Sequence, residues 1–164
     1  MAHTIDPTME HDITLRARQV FSQDRYATAL TGIAIDHVGE RSATCSLSLG
    51  DMHRNAKGAV MGGVLYTLAD LAFAVAVHSQ DLAATPAGEE PMLSWVSVSA
   101  TIHYVNATRG DRLKAEARCI KQGRRIALYQ TSIYDSEGRL VALVETQGSR
   151  VDVAGAADKQ NPQS

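Results

Sequence analysis

The chain has 164 residues, of which 45% are hydrophobic and 21% are charged, with only 4 prolines. This length and composition indicate one domain with a real core, and they exclude a disordered or collagen-like chain. The 16 Lys and Arg residues nearly balance the 18 Asp and Glu residues, and the formal net charge of -2 argues against nucleic acid as a partner.

The two cysteines, Cys45 and Cys119, are too few and too far apart for a disulfide framework or a CxxC metal or redox site. The first residues have no basic start followed by an apolar stretch, so no signal peptide is predicted and we expect a cytoplasmic protein. Residues 1–11 and 154–164 are polar and unpatterned. We therefore predict flexible ends around a single domain of residues 12–153.

The first part of the domain is predicted to contain a short helix followed by a β-hairpin. Apolar residues at helical spacing predict a short helix over about residues 12–21, capped by Asp12, and Asp24 is placed to cap a further turn. Over residues 32–49 apolar and polar residues alternate on both sides of a turn at 39–41. This alternation predicts a β-hairpin.

The most apolar segment is VLYTLADLAFAVAV, residues 64–77, which follows a glycine-rich loop at 51–63. Its composition predicts a helix that is buried on nearly all sides. A bilayer-spanning helix needs about 20 apolar residues, so we predict a core helix and no membrane partner. Residues 79–91 carry prolines and a glycine and are predicted to form a loop.

From there to Val151 the alternation has period two and predicts four strands separated by turns. In the first of these strands the alternation places five apolar residues on one face: Val96, Val98, Ala100, Ile102 and Tyr104. Ser97 is then predicted on the opposite face. Together the elements predict an α+β domain, with helices segregated on one face of an antiparallel sheet.

Asp70 is the residue that the predicted apolar helix explains least. A carboxylate that loses its hydration among apolar residues needs a compensating partner or a function. The plain alternative is that Asp70 caps a neighbouring loop or pairs with an arginine. Gly58, Gly62 and Gly63 precede the helix. Their N–H groups at its positive end are placed to polarise a carbonyl, although such glycines also simply make tight turns.

Other residue types give weaker signals. The six histidines show no metal-binding spacing, so no metal site is predicted. The serines lack a G-x-S-x-G elbow, and Cys45 lies in a strand pattern typical of core residues. Seven basic residues between Arg109 and Arg125 outnumber two acids. Most of them are expected on a solvent-facing strand, where charge is routine, although such a surplus also suits the phosphates of a nucleotide-like carrier.

One motif, N-x2-G-x3-G-G-x3-T-L-x-D, is formed by Asn55, Gly58, Gly62, Gly63, Thr67, Leu68 and Asp70. On this motif and the later stretch VSVSATIHYVNATRGDRLKAEARCIKQGRR, residues 30–151 resemble a hotdog-fold acyl-CoA thioesterase of the phenylacetate-degradation (PaaI-like) subgroup. The resemblance implies a curved antiparallel sheet wrapped around one long central helix. It also implies a homodimer or homotetramer, with active sites at the chain interface built from both subunits.

The resemblance also implies roles for single residues. Asp70 is the nucleophile or the base that activates water, and the Gly62 backbone N–H is the oxyanion donor that polarises the thioester carbonyl. Asn55 helps to position the thioester or the water. Ser97 matches a substrate-binding position that orients the attacking water in some relatives.

Met61 and Gly63 flank the motif's central glycine and are assigned to substrate binding, but the family usually has a histidine where this chain has Met61. The leading hypothesis is hydrolysis of an acyl-CoA thioester to free acid and CoA, without a cofactor. A non-catalytic acyl-CoA binding or regulatory module is the alternative, because the motif is eroded at Met61. A hydratase of the same fold needs a catalytic histidine, and only His53 and His78 are near.

Overall fold

The structure, a computed structural model, describes residues 7–151. The helical elements are α1 (Pro7–Phe21), a π-helical turn (Tyr26–Leu30), a 3-10 turn (Asp51–His53), α2 (Gly62–Val77) and α3 (Ser79–Ala84). The strands are β1 (Ala34–Gly39), β2 (Ser42–Ser48), β3 (Trp95–Tyr104), β4 (Arg112–Gln122), β5 (Ile126–Asp135) and β6 (Leu140–Arg150).

The six strands form one sheet in the order β1-β2-β4-β5-β6-β3. Every neighbouring pair of strands is antiparallel. α2 packs across β2, β4 and β5, and α1 packs on β1. The predicted α+β architecture, an antiparallel sheet wrapped around one long helix, is therefore confirmed. No helix among residues 7–151 is long and apolar enough to cross a membrane.

The core lies between α2 and the inner face of the sheet. Phe73 of α2 meets Tyr129 of β5 edge-on, with ring centroids 5.5 Å apart. Gly148 of β6 permits this close approach, because a Cβ there would lie 2.9 Å from the Phe73 ring. Cys45 is fully buried, as predicted for a core residue. Burial, together with the charge of Asp36, raises the pKa of its thiol to about 12, so it is an inert thiol.

Several boundaries differ from the sequence predictions. α1 begins at Pro7 instead of Asp12, within the segment 1–11 that was predicted to be flexible. Glu10 in the first turn and Arg18 in the last complement the helix dipole and extend the helix in this direction. α3 forms inside the predicted loop 79–91. The predicted C-terminal tail lies outside the described residues.

β3 is an edge strand whose alternation is interrupted. Ser97 pairs with Gly148, and Val98 is an extra residue in a bulge. Directly paired residues project to the same face of a sheet, so Ser97 lies on the face of Gly148 that meets Phe73. Tyr104 also lies on this face, next to α2. The prediction that Ser97 and Tyr104 lie on opposite faces is therefore wrong, because the bulge shifts the phase of the alternation.

Candidate active site

The sequence predicted that α2 is buried on nearly all sides, but one side of the helix is open. Gly63, Tyr66 and Asp70 are exposed, while Thr67 and Ala74 are half-buried. Residues at these spacings lie on one side of a helix. In the single chain α2 therefore has one open stripe, and Asp70 lies in the middle of it.

Asp70 has neither of the partners that the plain alternative required. Within residues 7–151 no hydrogen-bond donor and no cation contacts its carboxylate. The residue lines a cavity of about 170 Å³ together with Asp24, Tyr26 and Tyr66. Partial desolvation raises the pKa of Asp70, and the charge of Asp24 adds to this effect. The fold thus leaves this carboxylate uncompensated.

The acid that is buried and satisfied is Asp135, at the turn between β5 and β6. Its side chain accepts backbone N–H groups of Arg109, Glu137 and Arg139, each at 3.0 Å. The Arg139 guanidinium bonds it at 2.8 Å. Burial by itself would raise its pKa, but the backbone donors and Arg139 lower the pKa of Asp135 to about 2. Loop capping and arginine pairing, expected as the plain alternative for Asp70, are the role of Asp135.

The N-terminus of α2 carries free donors. Met61 precedes the helix in an extended conformation and its side chain makes no capping hydrogen bond. Its carbonyl accepts the N–H groups of Val64 and Leu65. In the described part of the chain no group accepts the N–H of Gly62 or Gly63. Two unpaired donors at the positive end of a helix suit an oxyanion.

Gly62 and Asp70 line two different cavities. Gly62 lines a space of about 530 Å³ with Gly58, Tyr104 and Asn106. It lies against Tyr104, because a Cβ at Gly62 would be 2.6 Å from the tyrosine Oη. Asp70 follows Gly62 by eight residues along α2, about 12 Å at the rise of an α-helix. One chain therefore brings Gly58 and Gly62 together but keeps Asp70 apart from them.

Asn55 shapes the loop that precedes α2. Its side-chain Oδ1 accepts the N–H groups of Lys57 at 2.9 Å and Ala59 at 3.1 Å. Its backbone carbonyl accepts the N–H of Gly58 at 2.8 Å. The oxygen of this carboxamide is occupied, so only the carboxamide N–H groups are left to position a thioester or a water.

The remaining predicted residues are accessible. Met61 has 43% of its surface exposed at the start of α2. Gly63 lies on the open stripe, one residue after Gly62. Ser97 is exposed on the helix-facing side of β3, towards the end where Phe73 packs. None of these three residues lines the cavity of Gly62 or the cavity of Asp70.

Neither histidine near the loop has a free ring nitrogen. His53 accepts the N–H of Gly50 and bonds the carbonyl of Thr31. His78 bonds the carbonyl of Ala74 and accepts the first N–H of β3. Both imidazoles fasten backbone segments, which argues against the histidine chemistry of a hydratase. No group of His, Cys, Asp and Glu residues that could hold a metal ion occurs within residues 7–151.

Sequence reasoning missed the surroundings of Asp70. Asp24 was interpreted only as a helix cap, yet its charge acts on Asp70 across their shared cavity. Tyr66, one turn before Asp70 on α2, lines the same cavity. Its spacing of four from Asp70 was the available signal that both lie on one side of the helix.

Comparison with known proteins shows which proteins the chain is similar to. The family model that is described as the Thioesterase superfamily matches residues 57–142 of this chain. The acyl-coenzyme A thioesterase PaaI of Escherichia coli (strain K12) is 31% identical over 144 residues, which are 87% of this chain and 94% of that protein.

Solved structures show the same fold. The E. coli PaaI protein from the phenylacetic acid degradation operon has a TM-score of 0.68 at 25% identity, over 85% of this chain and 96% of that one. A hypothetical thioesterase from Streptococcus pneumoniae, solved with coenzyme A, has a TM-score of 0.68 at 20% identity, over 80% of this chain and 96% of that one.

Proposed function

The chain belongs to the thioesterase superfamily, and we propose that it hydrolyses an acyl-CoA thioester to the free acid and CoA. The observation that carries this proposal is the carboxylate of Asp70, which lies on the open stripe of α2 without a donor or cation in the described residues. The unpaired N–H of Gly62 supplies the complementary group. The identity to a protein named as an acyl-CoA thioesterase supports the substrate class.

A second copy of the chain closes the gap between Gly62 and Asp70. Gly62 packs at the Tyr104 end of β3, whereas Phe73, one turn beyond Asp70, packs at the Ser97 end. If two β3 edges pair antiparallel about a twofold axis, the Tyr104 end of one chain lies beside the Ser97 end of the other. Gly62 of one subunit then faces Asp70 of its partner.

The β3 edge is suited to this pairing. Within residues 7–151 no strand pairs with its outer side, and it carries Val96, Val98 and Tyr104 at 43%, 56% and 58% exposure. It contains no lysine, arginine or proline, the residues that commonly block edge-to-edge association. We therefore propose a homodimer through β3, as the unit of a dimer or a homotetramer.

The chemistry needs only these groups and water. The carbonyl oxygen of the thioester gains negative charge, which the Gly62 N–H and the helix dipole stabilise. Asp70 acts in one of two ways. As a nucleophile it attacks the carbonyl, expels the CoA thiolate and forms an anhydride that water hydrolyses. As a general base it removes a proton from the water that attacks, and the departing thiolate recovers that proton.

Mixed oligomers test the shared site. Gly62→Pro removes the donor N–H, and the site accepts proline because Gly62 opens α2 and Met61 has φ -66° and ψ 138°. Gly62→Ala is the matched control, because it adds the same Cβ beside Tyr104 but keeps the N–H. We expect thiol release to be lost in Asp70→Asn and Gly62→Pro separately, and retained in Gly62→Ala.

Co-expressed Asp70→Asn and Gly62→Pro chains form hetero-oligomers with one intact site in two. We expect roughly a quarter of the parental rate from a random mixture. No recovery would contradict the shared site, and equal rates for Gly62→Pro and Gly62→Ala would contradict the donor role. A parent that releases no thiol from any acyl-CoA would contradict hydrolysis altogether.

The non-catalytic alternative rests on Met61, which stands where the family usually has a histidine and makes no capping bond. It is distinguished by calorimetry together with thiol detection. Binding of an acyl-CoA without thiol release over hours would favour the binding module. Asn55→Asp separates two roles of that residue, because it keeps the oxygen that shapes the loop, removes the carboxamide N–H groups and adds a negative charge.

A further inference from the structure

The basic run between Arg109 and Arg125 is divided by the structure into two parts. Four cations have partners within the chain: Arg109 pairs with Glu137, Lys114 and Arg118 pair with Glu116, and Arg112 donates to Ser46. The other three are Lys121, near the end of β4, and Arg124 and Arg125, in the turn between β4 and β5. We name these three residues the basic turn. Within residues 7–151 no acid pairs with them.

The basic turn combines charge with apolar surface. Ile120 and Ile126 flank it, and each is 57% exposed. The N–H of Gly123 donates to the carbonyl of Ile126 at 2.8 Å and closes the turn. Unpaired cations beside exposed apolar side chains suit a ligand that carries phosphates next to a planar base, since guanidinium groups bind phosphates in a bidentate manner and stack on flat rings.

The position of the basic turn relates it to the proposed site. Ala127 pairs with Gly148, and Gly148 pairs with Ser97. Arg125 is therefore two residues further along and two strands across from Ser97, about 7 Å and about 10 Å in those directions. The turn lies at the Ser97 end of the sheet, where the twofold arrangement joins Asp70 to Gly62 of the partner subunit.

We propose that the basic turn binds the phosphates of the 3′-phosphorylated adenosine diphosphate part of CoA. In an acyl-CoA an extended pantetheine arm separates these phosphates from the thioester. The cations of the basic turn lie outside the reacting centre but at the same end of the sheet. The phosphates of a bound acyl-CoA are therefore expected to lie next to them. The inference rests on the proposed function, because that function supplies the position of the thioester.

The test compares two thioesters that carry the same acyl group, an acyl-CoA and the acyl-pantetheine that lacks the phosphates. The variant is Lys121→Gln/Arg124→Gln/Arg125→Gln. The matched control is Arg109→Gln/Lys114→Gln/Arg118→Gln, which removes the same charge from the paired cations. For the acyl-CoA we expect the basic-turn variant to raise KM about tenfold or more, with kcat within about twofold of the parent. For the acyl-pantetheine we expect no change in either variant.

Two results would overturn the assignment: an equal rise in KM in both triple variants, or a rise for the acyl-pantetheine as large as that for the acyl-CoA. Calorimetric titration with CoA itself is independent of turnover. If the parent hydrolyses no thioester, the proposed function fails and this titration alone decides. Weaker CoA binding by the basic-turn variant than by the control supports the assignment, and equal binding overturns it.

Discussion

Two aspartates, Asp70 on α2 and Asp135 at the turn between β5 and β6, meet opposite surroundings. Asp135 is buried and bonded by backbone N–H groups and by Arg139, which hold its pKa at about 2. Asp70 is exposed on the open stripe, bonded by nothing in the described residues, and its pKa is raised by partial desolvation and by Asp24. A carboxylate that stabilises a fold is supplied with donors. One that lacks them costs stability, and the catalytic role that we propose for Asp70 would explain why it is present.

The largest effect is expected from Asp70→Asn, which replaces the carboxylate by a neutral amide. We expect thiol release to fall by about a thousandfold or more, because the amide neither attacks the thioester nor takes a proton from water. The melting temperature should stay the same or rise, since the change removes a partly desolvated charge. Thermal melts beside the thiol assay check both halves. A variant that loses stability along with activity would make Asp70 a structural residue.

Asp135→Asn should show the reverse pattern. We expect the melting temperature to fall by several degrees, because a neutral amide gives weaker hydrogen bonds and turns an N–H2 group towards Arg139. The rate per folded molecule, measured well below the melting temperature, should match the parent. Glu137→Gln is the control, since it alters an exposed acid of the same turn and surface ion pairs contribute little.

The same residue gives the parent a specific acid sensitivity. The pKa of Asp135 lies at about 2 in the folded chain, below its ordinary value of 3.8. Its stabilising contribution is complete above the ordinary value and is lost as the pH falls towards the folded pKa. Denaturant unfolding should be measured at several pH values across this window. We expect the free energy of unfolding to fall more steeply with decreasing pH in the parent than in Asp135→Asn. Parallel pH curves would contradict the donor set around Asp135.

The smallest effect is expected from Asp24→Asn. Removing this charge should lower the pKa of Asp70, so the acidic limb of kcat/KM should move to lower pH. The rate on the plateau above this limb should change little, because Asp24→Asn leaves the carboxylate of Asp70 in place. Asp51→Asn, an exposed acid outside the Asp70 cavity, is the control. A limb that does not move would show that Asp24 has no influence on the ionisation of Asp70.

The sequence predicted the helices and strands better than it predicted which of their side chains are covered by the rest of the fold. The apolar run of α2 and the alternation of the later strands are local signals, and both elements are present. The bulge at Val98 leaves no trace in composition, yet it decides which face Ser97 occupies. The open stripe depends on which strands cover α2, a long-range property that no local pattern contains. For the same reason the sequence identified Asp70 as the buried acid, a place that Asp135 holds.

The motif at the start of α2 was predicted well where backbone conformation is enough. The pair Gly62 and Gly63 begins the helix with free N–H groups, as the spacing suggested. The role of Asn55 was harder to predict, because its side-chain oxygen accepts backbone N–H groups of the same loop. Whether a side chain bonds its neighbours or a substrate depends on distances of a few tenths of an ångström, which residue spacing does not determine.

The place of β3 in the sheet has a consequence for the order of folding. β3 precedes β4, β5 and β6 in the chain, but within residues 7–151 its only partner is β6, the last strand of that range to be synthesised. During translation β3 therefore emerges with both of its backbone edges unpaired, and its pairing waits for a contact distant in sequence. Its exposed valines make this interval the one in which chains at high concentration associate wrongly. Refolding yield should consequently fall with protein concentration before the finished domain shows any instability.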